Sequence, residues 1–293
     1  MSFLFASDWE EPVMKRILLP LQGFPAEINA INLAFYLAEY SRATVSVLHC
    51  KETLVKTQEF WLDRLTGHVK SISMLLNVPY ETTLVKRYRA SDAILNAAHK
   101  EECDLILMSA ACKPIYKQLL GSTSRRVVSK SKIPTIVVAS WLEDFARHQE
   151  PVIKKILLPI DDTTKDIAAL RFAAALKKSS AAKSAELIAL HVTLLPMVVS
   201  LTAADSEECL HDQEVFLKDV SDFTTKTGLK VTPKHVAARK IGDATVEMAA
   251  KEDVDLIVLG AQRKPRRFQR ILGRVSFKIA SRSKAAVVLT FAP

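Results

Sequence analysis

The sequence predicts two tandem α/β domains, each a doubly wound five-stranded parallel sheet with helices on both faces. Three observations carry this prediction. A set of sequence blocks returns in the same order, short unbroken apolar runs occur in each copy, and longer amphipathic segments alternate with those runs.

The repeat is read block by block. Lys15-Arg-Ile-Leu-Leu-Pro-Leu21 returns as Lys154-Lys-Ile-Leu-Leu-Pro-Ile160, and Val45-Ser-Val-Leu-His-Cys50 as Leu187-Ile-Ala-Leu-His-Val192. The block from Ser91 to Ser109 returns from Gly242 to Gly260. Leu120-Gly121 returns as Leu272-Gly273, and Ser129-Lys-Ser-Lys132 as Ser281-Arg-Ser-Lys284. The offset grows from 139 to 152, which implies insertions in the connections of the second copy. A repeat of this length is a duplicated domain, and the expected domains are 1–141 and 151–293. Between them, Leu142–Pro151 carries Glu143, Asp144, Arg147, His148, Gln149 and Glu150 and reads as a solvated linker.

The elements follow in order. Arg16–Leu21 is a short apolar run, as expected of a strand covered on both faces. Pro25–Arg42 sets Ile28, Ile31, Leu33, Phe35 and Leu37 among small residues at helical spacing. Thr44–Cys50 reads as a strand, Thr57–Asn77 as a long helix and Glu81–Lys86 as a third strand. Ser91 before Asp92 reads as the N-cap of the next helix. Asp104–Ser109, Ser122–Lys130 and Thr135–Ala139 complete the copy as strand, helix and strand. The second copy places strands near 155–160, 186–192, 230–237, 255–260 and 286–291. Strand and helix in alternation imply right-handed crossovers and parallel pairing.

Composition narrows the class. The chain has 293 residues, 49% hydrophobic and 25% charged, enough for a buried core in each half. No apolar stretch has membrane length, and Met1–Glu11 is acidic where a signal peptide needs positive charge. The expectation is a cytoplasmic protein. Cys50, Cys103, Cys112 and Cys209 form no Cys-x-x-Cys pair and no zinc spacing, so they read as reduced thiols. Cys112 beside Lys113 is the candidate for reactivity. Residues 1–150 carry 18 Lys+Arg and 16 Asp+Glu, and residues 151–293 carry 23 and 16. No acid follows Asp255, whereas nine cations do, from Arg263 to Lys284. Such a cluster attracts phosphate.

In an open parallel sheet, ligands bind beyond the carboxyl ends of the strands where strand order reverses. That selects Gln22 and Gly23 in copy one, Asp161 and Asp162 in copy two, and the loops after Ser109 and Gly260. Those loops end at Gly121-Ser122-Thr123-Ser124 and Gly273-Arg274-Val275-Ser276. A glycine and hydroxyl residues opening a helix form an anion site, since free N–H groups and the helix dipole face the ligand.

These motifs together (Lys-Ile-Leu-Leu-Pro-Ile-Asp, a strand ending His-Val, Asp-Leu-Ile-Val-Leu-Gly, Leu-Gly-x-Val-Ser) resemble the universal stress protein family, of the UspA type, over nearly the whole chain and twice. The resemblance implies an adenine nucleotide alpha hydrolase-like fold with strand order 3-2-1-4-5. In that order the last strands, Thr135–Ala139 and Ala286–Phe291, are bare edges, so the two domains are expected to pair there as an intramolecular pseudo-dimer. It also implies ATP binding through an Asp after the first strand and a motif of Gly, two residues, Gly, nine residues, then Gly-Ser or Gly-Thr. Copy two matches at Asp161, Gly260 and Gly273 at the family spacing. It departs at Arg263, where the motif has its middle Gly, and at Arg274, where it has a hydroxyl, although Ser276 follows. Copy one keeps Gly121, Ser122 and Ser124 but has Gln22, Ser109 and Cys112 at the other motif positions. Copy two is therefore the expected adenine-nucleotide site, with Arg263 either blocking the triphosphate or replacing lost backbone contacts by its charge.

Other readings stay open at this point. The chain is a regulatory or protective stress-response module with nucleotide, or an interaction module without one, alone or as a homodimer. Nucleic-acid association through 263–284 is the third reading, weakened by a single aromatic, Phe268, in the first half of the cluster. No Walker loop or nucleophile elbow is present, so an enzyme beyond weak ATP hydrolysis is not expected, nor is a metal site. His49 and His191 recur at one strand end and read as structural, Asp92 and Asp243 as charges favoured by a helix N-terminus, and Trp9, Trp61 and Trp141 as packing anchors.

Overall fold

A computed structural model describes residues 14–51, 56–86, 89–110, 121–138, 153–160, 163–195, 207–261 and 274–291. The first copy runs β1 (Arg16–Leu21), α1 (Glu27–Ser41), β2 (Thr44–Lys51), α2 (Lys56–Leu76), β3 (Tyr80–Lys86), α3 (Ala90–Lys100), β4 (Leu105–Ser109), α4 (Ser122–Lys130) and β5 (Thr135–Val138). The second runs β6 (Lys155–Pro159), α5 (Thr163–Lys178), β7 (Glu186–Leu194), α6 (Glu207–Thr227), β8 (Val231–Ala238), α7 (Ile241–Lys251), β9 (Leu256–Ala261), α8 (Arg274–Arg282) and β10 (Ala286–Phe291). A 3₁₀ turn at Ser180–Ala182 follows α5. The strands and helices read from the sequence are all found, with ends moved by a residue or two. The linker and the reactive-thiol candidate Cys112 lie outside the described residues.

The ten strands form one sheet in the order β3-β2-β1-β4-β5-β10-β9-β6-β7-β8. Each half has the 3-2-1-4-5 order that the resemblance implies, and pairing within each half is parallel. The halves meet antiparallel through β5 and β10, with Val138 opposite Val288 and Thr135 opposite Phe291. Each terminal strand thereby gains a partner for its open ladder.

Helices α1, α2, α5 and α6 cover one face, and α3, α4, α7 and α8 the other. Each face carries a core that runs through both copies. Helix α1 is buried almost all round, from Asn29 to Ala38, because it lies between the sheet, α2 and α5. Its sequence, Ile-Asn-Ala-Ile-Asn-Leu-Ala-Phe-Tyr-Leu-Ala, has no charged stripe, as a helix enclosed on all sides requires. Helix α2 buries Leu65, Val69 and Ile72, four and three residues apart on one face.

One sheet-edge device is repeated. Asp104 Oδ2 accepts the N–H groups of Lys15 and Arg16 at 2.7 and 2.9 Å, and Asp255 Oδ2 those of Lys154 and Lys155 at 2.7 and 2.9 Å. Each carboxylate thus ties the start of its β4-type strand to the start of the neighbouring β1-type strand and sets their register. Replacing Asp255 with alanine removes two charge-assisted bonds and is expected to cost about 2 kcal/mol, read as a lower urea midpoint with unchanged m-value.

Ser91 is corrected by the structure. Arg89 is the N-cap of α3, in extended conformation, and Ser91 lies inside the helix with its hydroxyl buried and unpartnered. The Ser-Asp signal sits two residues too late to cap, because Ala90 already has helical geometry.

Candidate functional site

The 3-2-1-4-5 order reverses between β1 and β4, and between β6 and β9, and the carboxyl ends of such pairs are where open parallel sheets take ligands. A helix that follows a strand in a parallel unit runs back, so α4 and α8 start at this same edge.

In copy one the amides beyond β1 are taken by the chain's own groups. After β1, Gly23 adopts φ 86°, a left-handed turn that glycine makes without strain. That turn aims three amides at Glu27, whose carboxylate accepts N–H bonds from Gln22 (2.9 and 3.1 Å), Gly23 (3.0 Å) and Phe24 (3.2 Å). Burial pushes the Glu27 carboxyl up to about 7, against the pull of those three donors. Ser109 Oγ donates to the Ala26 carbonyl at 3.4 Å, and Ser124 Oγ to the Ser109 carbonyl at 3.4 Å. Gly121 caps α4 in extended conformation, and its carbonyl accepts the Arg125 N–H at 3.0 Å.

The structure therefore brings Gly121, Ser124 and the strand end together, but not as an open anion site. Ser124 is buried and turned to Ser109, and Ser122 is the exposed hydroxyl. The sequence reading missed Glu27. Its signal was a carboxylate six residues after a strand end and four after a glycine, where an anion was expected to bind.

In copy two, Gly260 lies in β9 opposite Thr290 of β10 and is half-exposed. Ser276 is half-buried in the first turn of α8, and Arg274 opens that helix, exposed. Asp161, Arg263 and Gly273 lie outside the described residues. Beside the β6 end, His191 Nδ1 donates to the Ile160 carbonyl at 3.1 Å, which assigns the Nδ1-protonated tautomer. Its ring stacks on Phe216 and on His235, at 5.4 and 5.7 Å, so this histidine packs the rim.

The helix that opens each site is clamped from the other side. Asp92 of α3 pairs with Arg126 of α4 at 3.3 Å. At the equivalent positions, Asp243 of α7 pairs with Lys278 of α8 at 2.5 Å and with Arg282 at 3.5 Å. The hydrogen bond from Lys278 holds the Asp243 carboxyl below its ordinary value. Both aspartates lie in the first turn of their helices, as read from the sequence, but their cationic partners were not legible there. Gly242 permits the approach in copy two: a Cβ on it would lie 3.2 Å from Lys278 Cδ. Among the described cations after Asp255, Lys278 and Arg282 are thus joined to an acid, which reduces the charge they offer to a nucleic acid.

The remaining chemistry is sparse. Cys103 and Cys209 are buried free thiols, and burial pushes Cys103 up to about 12, so it is unreactive at neutral pH. Trp61 stacks edge-on with Phe60, and the Arg64 guanidinium lies over both rings. Among the described residues, no group of three His, Cys, Asp or Glu side chains could hold a metal, and no helix is long and apolar enough to cross a membrane.

The fold and rim define a class: a tandem α/β protein whose two five-stranded halves are fused at their last strands, each with a strand-order reversal beside its first strand. The profile of the Universal stress protein family matches residues 14–139 and 153–290. The chain belongs to the universal stress protein family. Among solved structures it is similar to a universal stress protein from Archaeoglobus fulgidus DSM 4304, at 17% identity and TM-score 0.63, over 94% of this chain and 97% of that one. A functionally unknown protein from Pseudomonas aeruginosa PAO1 is similar at 14% identity and TM-score 0.60, over 95% and 93%. Both likenesses speak to the fold. No curated protein matches the chain.

Proposed function

We propose that this universal stress protein is a regulatory module that takes one adenine nucleotide, ATP, in its second copy, while the first copy is a structural partner. The observation that carries this reading is the asymmetry of the two rims. In copy one, Glu27 holds the three amides beyond β1, and Ser109 stands where a nucleotide loop has glycine. Copy two keeps Asp161, Gly260 and Gly273 at the family spacing, with Ser276 in the first turn of α8.

The chemistry expected of these residues is binding. Gly260 and Gly273 let phosphate oxygens approach the backbone, the N-terminus of α8 favours the negative charge, and Arg263 and Arg274 supply cations to it. No general base or nucleophile is assigned, so the output of binding is a change of shape or partner.

Thermal unfolding of the full chain with and without millimolar Mg-ATP tests this. A ligand that binds only the folded state adds about 2.7 kcal/mol at a hundredfold excess over Kd, a midpoint shift of several degrees. Gly273→Val is expected to abolish the shift, and Gly121→Val to leave it intact. A shift that survives Gly273→Val removes copy two as the site. No shift with any adenine nucleotide leaves the chain an interaction module.

A further inference from the structure

Helix α2 turns opposite faces to the core and to solvent. Leu65, Val69 and Ile72 are buried, whereas Phe60, Gly67, Ser71 and Met74, on the other side, are exposed. Phe60 and Met74 are large apolar side chains left 54% and 74% exposed. They stand seven residues before and seven residues after Gly67. Gly67 itself is open, since a Cβ there would meet no heavy atom within 4 Å. Ser71 Oγ donates to the Gly67 carbonyl at 3.1 Å, so the hydroxyl beside this glycine is held on its own helix. Over about 21 Å of helix the stripe is apolar, then small, then apolar again.

The charges beside the stripe follow the same plan. At about 100° per residue, Asp63 and Lys70 lie on one flank of it. Asp63 comes four residues before Gly67 and Lys70 three after, and both are exposed. Arg64 lies on the other flank, with its guanidinium over the Phe60 and Trp61 rings at 5.4 and 5.8 Å. The second copy does not repeat this pattern. Aligned on the buried trios Leu65, Val69, Ile72 and Phe216, Val220, Phe223, the positions of Phe60, Gly67 and Met74 hold His211, Lys218 and Thr225 in α6. A lysine at the centre and polar residues at the ends suit contact with water, so only α2 of these two counterparts carries the stripe.

We propose that α2 is a self-association face, on which a second molecule of this protein docks its own α2 antiparallel about a two-fold axis at Gly67. An isologous interface has to be complementary to itself, and this stripe is. The axis sets Gly67 against its counterpart, Phe60 of each molecule against Met74 of the other, and Asp63 of each against Lys70 of the other. Absence of a side chain at the axis lets the backbones approach, the two apolar pairs close the ends, and two ion pairs line one flank. A match about one central residue is what a second molecule of the same chain requires and what an unrelated partner does not. The face is separate from the β5–β10 seam, which joins the two copies within one chain.

Sedimentation velocity of the full chain over a rising concentration series tests this. The parent is expected to pass from monomer to dimer in the micromolar range, as a contact of modest area allows. Gly67→Gln puts a side chain on the axis and is expected to weaken the dimer more than about tenfold. In the monomer the same change meets open space and improves helix propensity, so the urea midpoint at low concentration is expected not to fall. Asp63→Lys alone, or Lys70→Asp alone, sets like charges across the interface twice by symmetry and weakens the dimer about tenfold. Asp63→Lys combined with Lys70→Asp exchanges the charges and restores affinity to within about threefold of the parent. A parent that stays monomeric throughout overturns the proposal and leaves the stripe to a different protein. A dimer that Gly67→Gln does not weaken, or a double exchange no better than the single changes, overturns it as well.

Discussion

Val288→Asp is expected to lower the stability of both halves of the chain together, although the substitution lies only in the second. Val288 is fully buried, sits in β10 opposite Val138 of β5, and belongs to a core cluster drawn from both copies. A carboxylate there has no cationic partner in the strand ladder and loses its hydration, so the expected cost is above about 4 kcal/mol. All three tryptophans, Trp9, Trp61 and Trp141, lie before the second domain, so tryptophan fluorescence reports the first copy selectively. In urea, the fluorescence and circular-dichroism midpoints of the parent are expected to coincide, and both fall by the same amount in the variant. The physical reason is continuity: β5 has its second ladder partner only in β10, and neither core cluster ends at the seam. A fluorescence midpoint that stays at the parental value while the dichroism midpoint falls would show that the halves are thermodynamically separate, and the seam only a contact.

The second large effect is a pH dependence centred on Glu27. Its folded carboxyl is raised from 4.5 to about 7 because burial penalises the charge more than three amide donors favour it. A raised folded value means that the folded state keeps a proton which the unfolded state has already released. The contribution to stability is full below about pH 4.5 and is lost as pH rises through about 7, by roughly 3 kcal/mol in all. The histidines His49, His68 and His235 are shifted down by burial and act with the opposite sign in the neighbouring range, losing stability as pH falls. The measurement is therefore a difference. Urea midpoints of parent and Glu27→Gln are taken from pH 5 to 8, and the difference between them is expected to change steadily across that window. A constant difference would show that Glu27 is ionised throughout and that the three amides outweigh its burial. Below pH 4.5 the Asp243 carboxyl takes over: Lys278 holds it down, so its contribution is lost on acidification instead.

Much of the architecture was legible before any coordinates. The central strands are buried on both faces, so they appear as unbroken apolar runs such as Ile17–Leu19 or Ile257–Leu259. The pairing of β5 with β10 was expected from the strand order that the resemblance implies, which leaves each last strand at an edge. The site was legible only in outline. Gly121, Gly260 and Ser276 stand at the edge where the strand-end rule put them. Ser124 does not act there as a free hydroxyl, because burial turns it to the Ser109 carbonyl. Ser91 does not cap, since the helix begins one residue before it.

The sequence by itself determined the duplication, the order of strands and helices, the family and which copy retains a nucleotide motif. These are written in local pattern: the period of apolar residues, and blocks that recur. Tertiary structure decided what depends on residues distant in the chain. It brought Asp104 to the amides of Lys15 and Arg16, and Asp243 to Lys278. It turned the three amides beyond β1 onto Glu27. It also brought Leu37 and Ile136 of the first copy and Phe172 and Phe291 of the second around one cavity at the seam. Periodicity records which face of an element is buried. The partner that covers that face, and how completely, is fixed only when the two sheets become one.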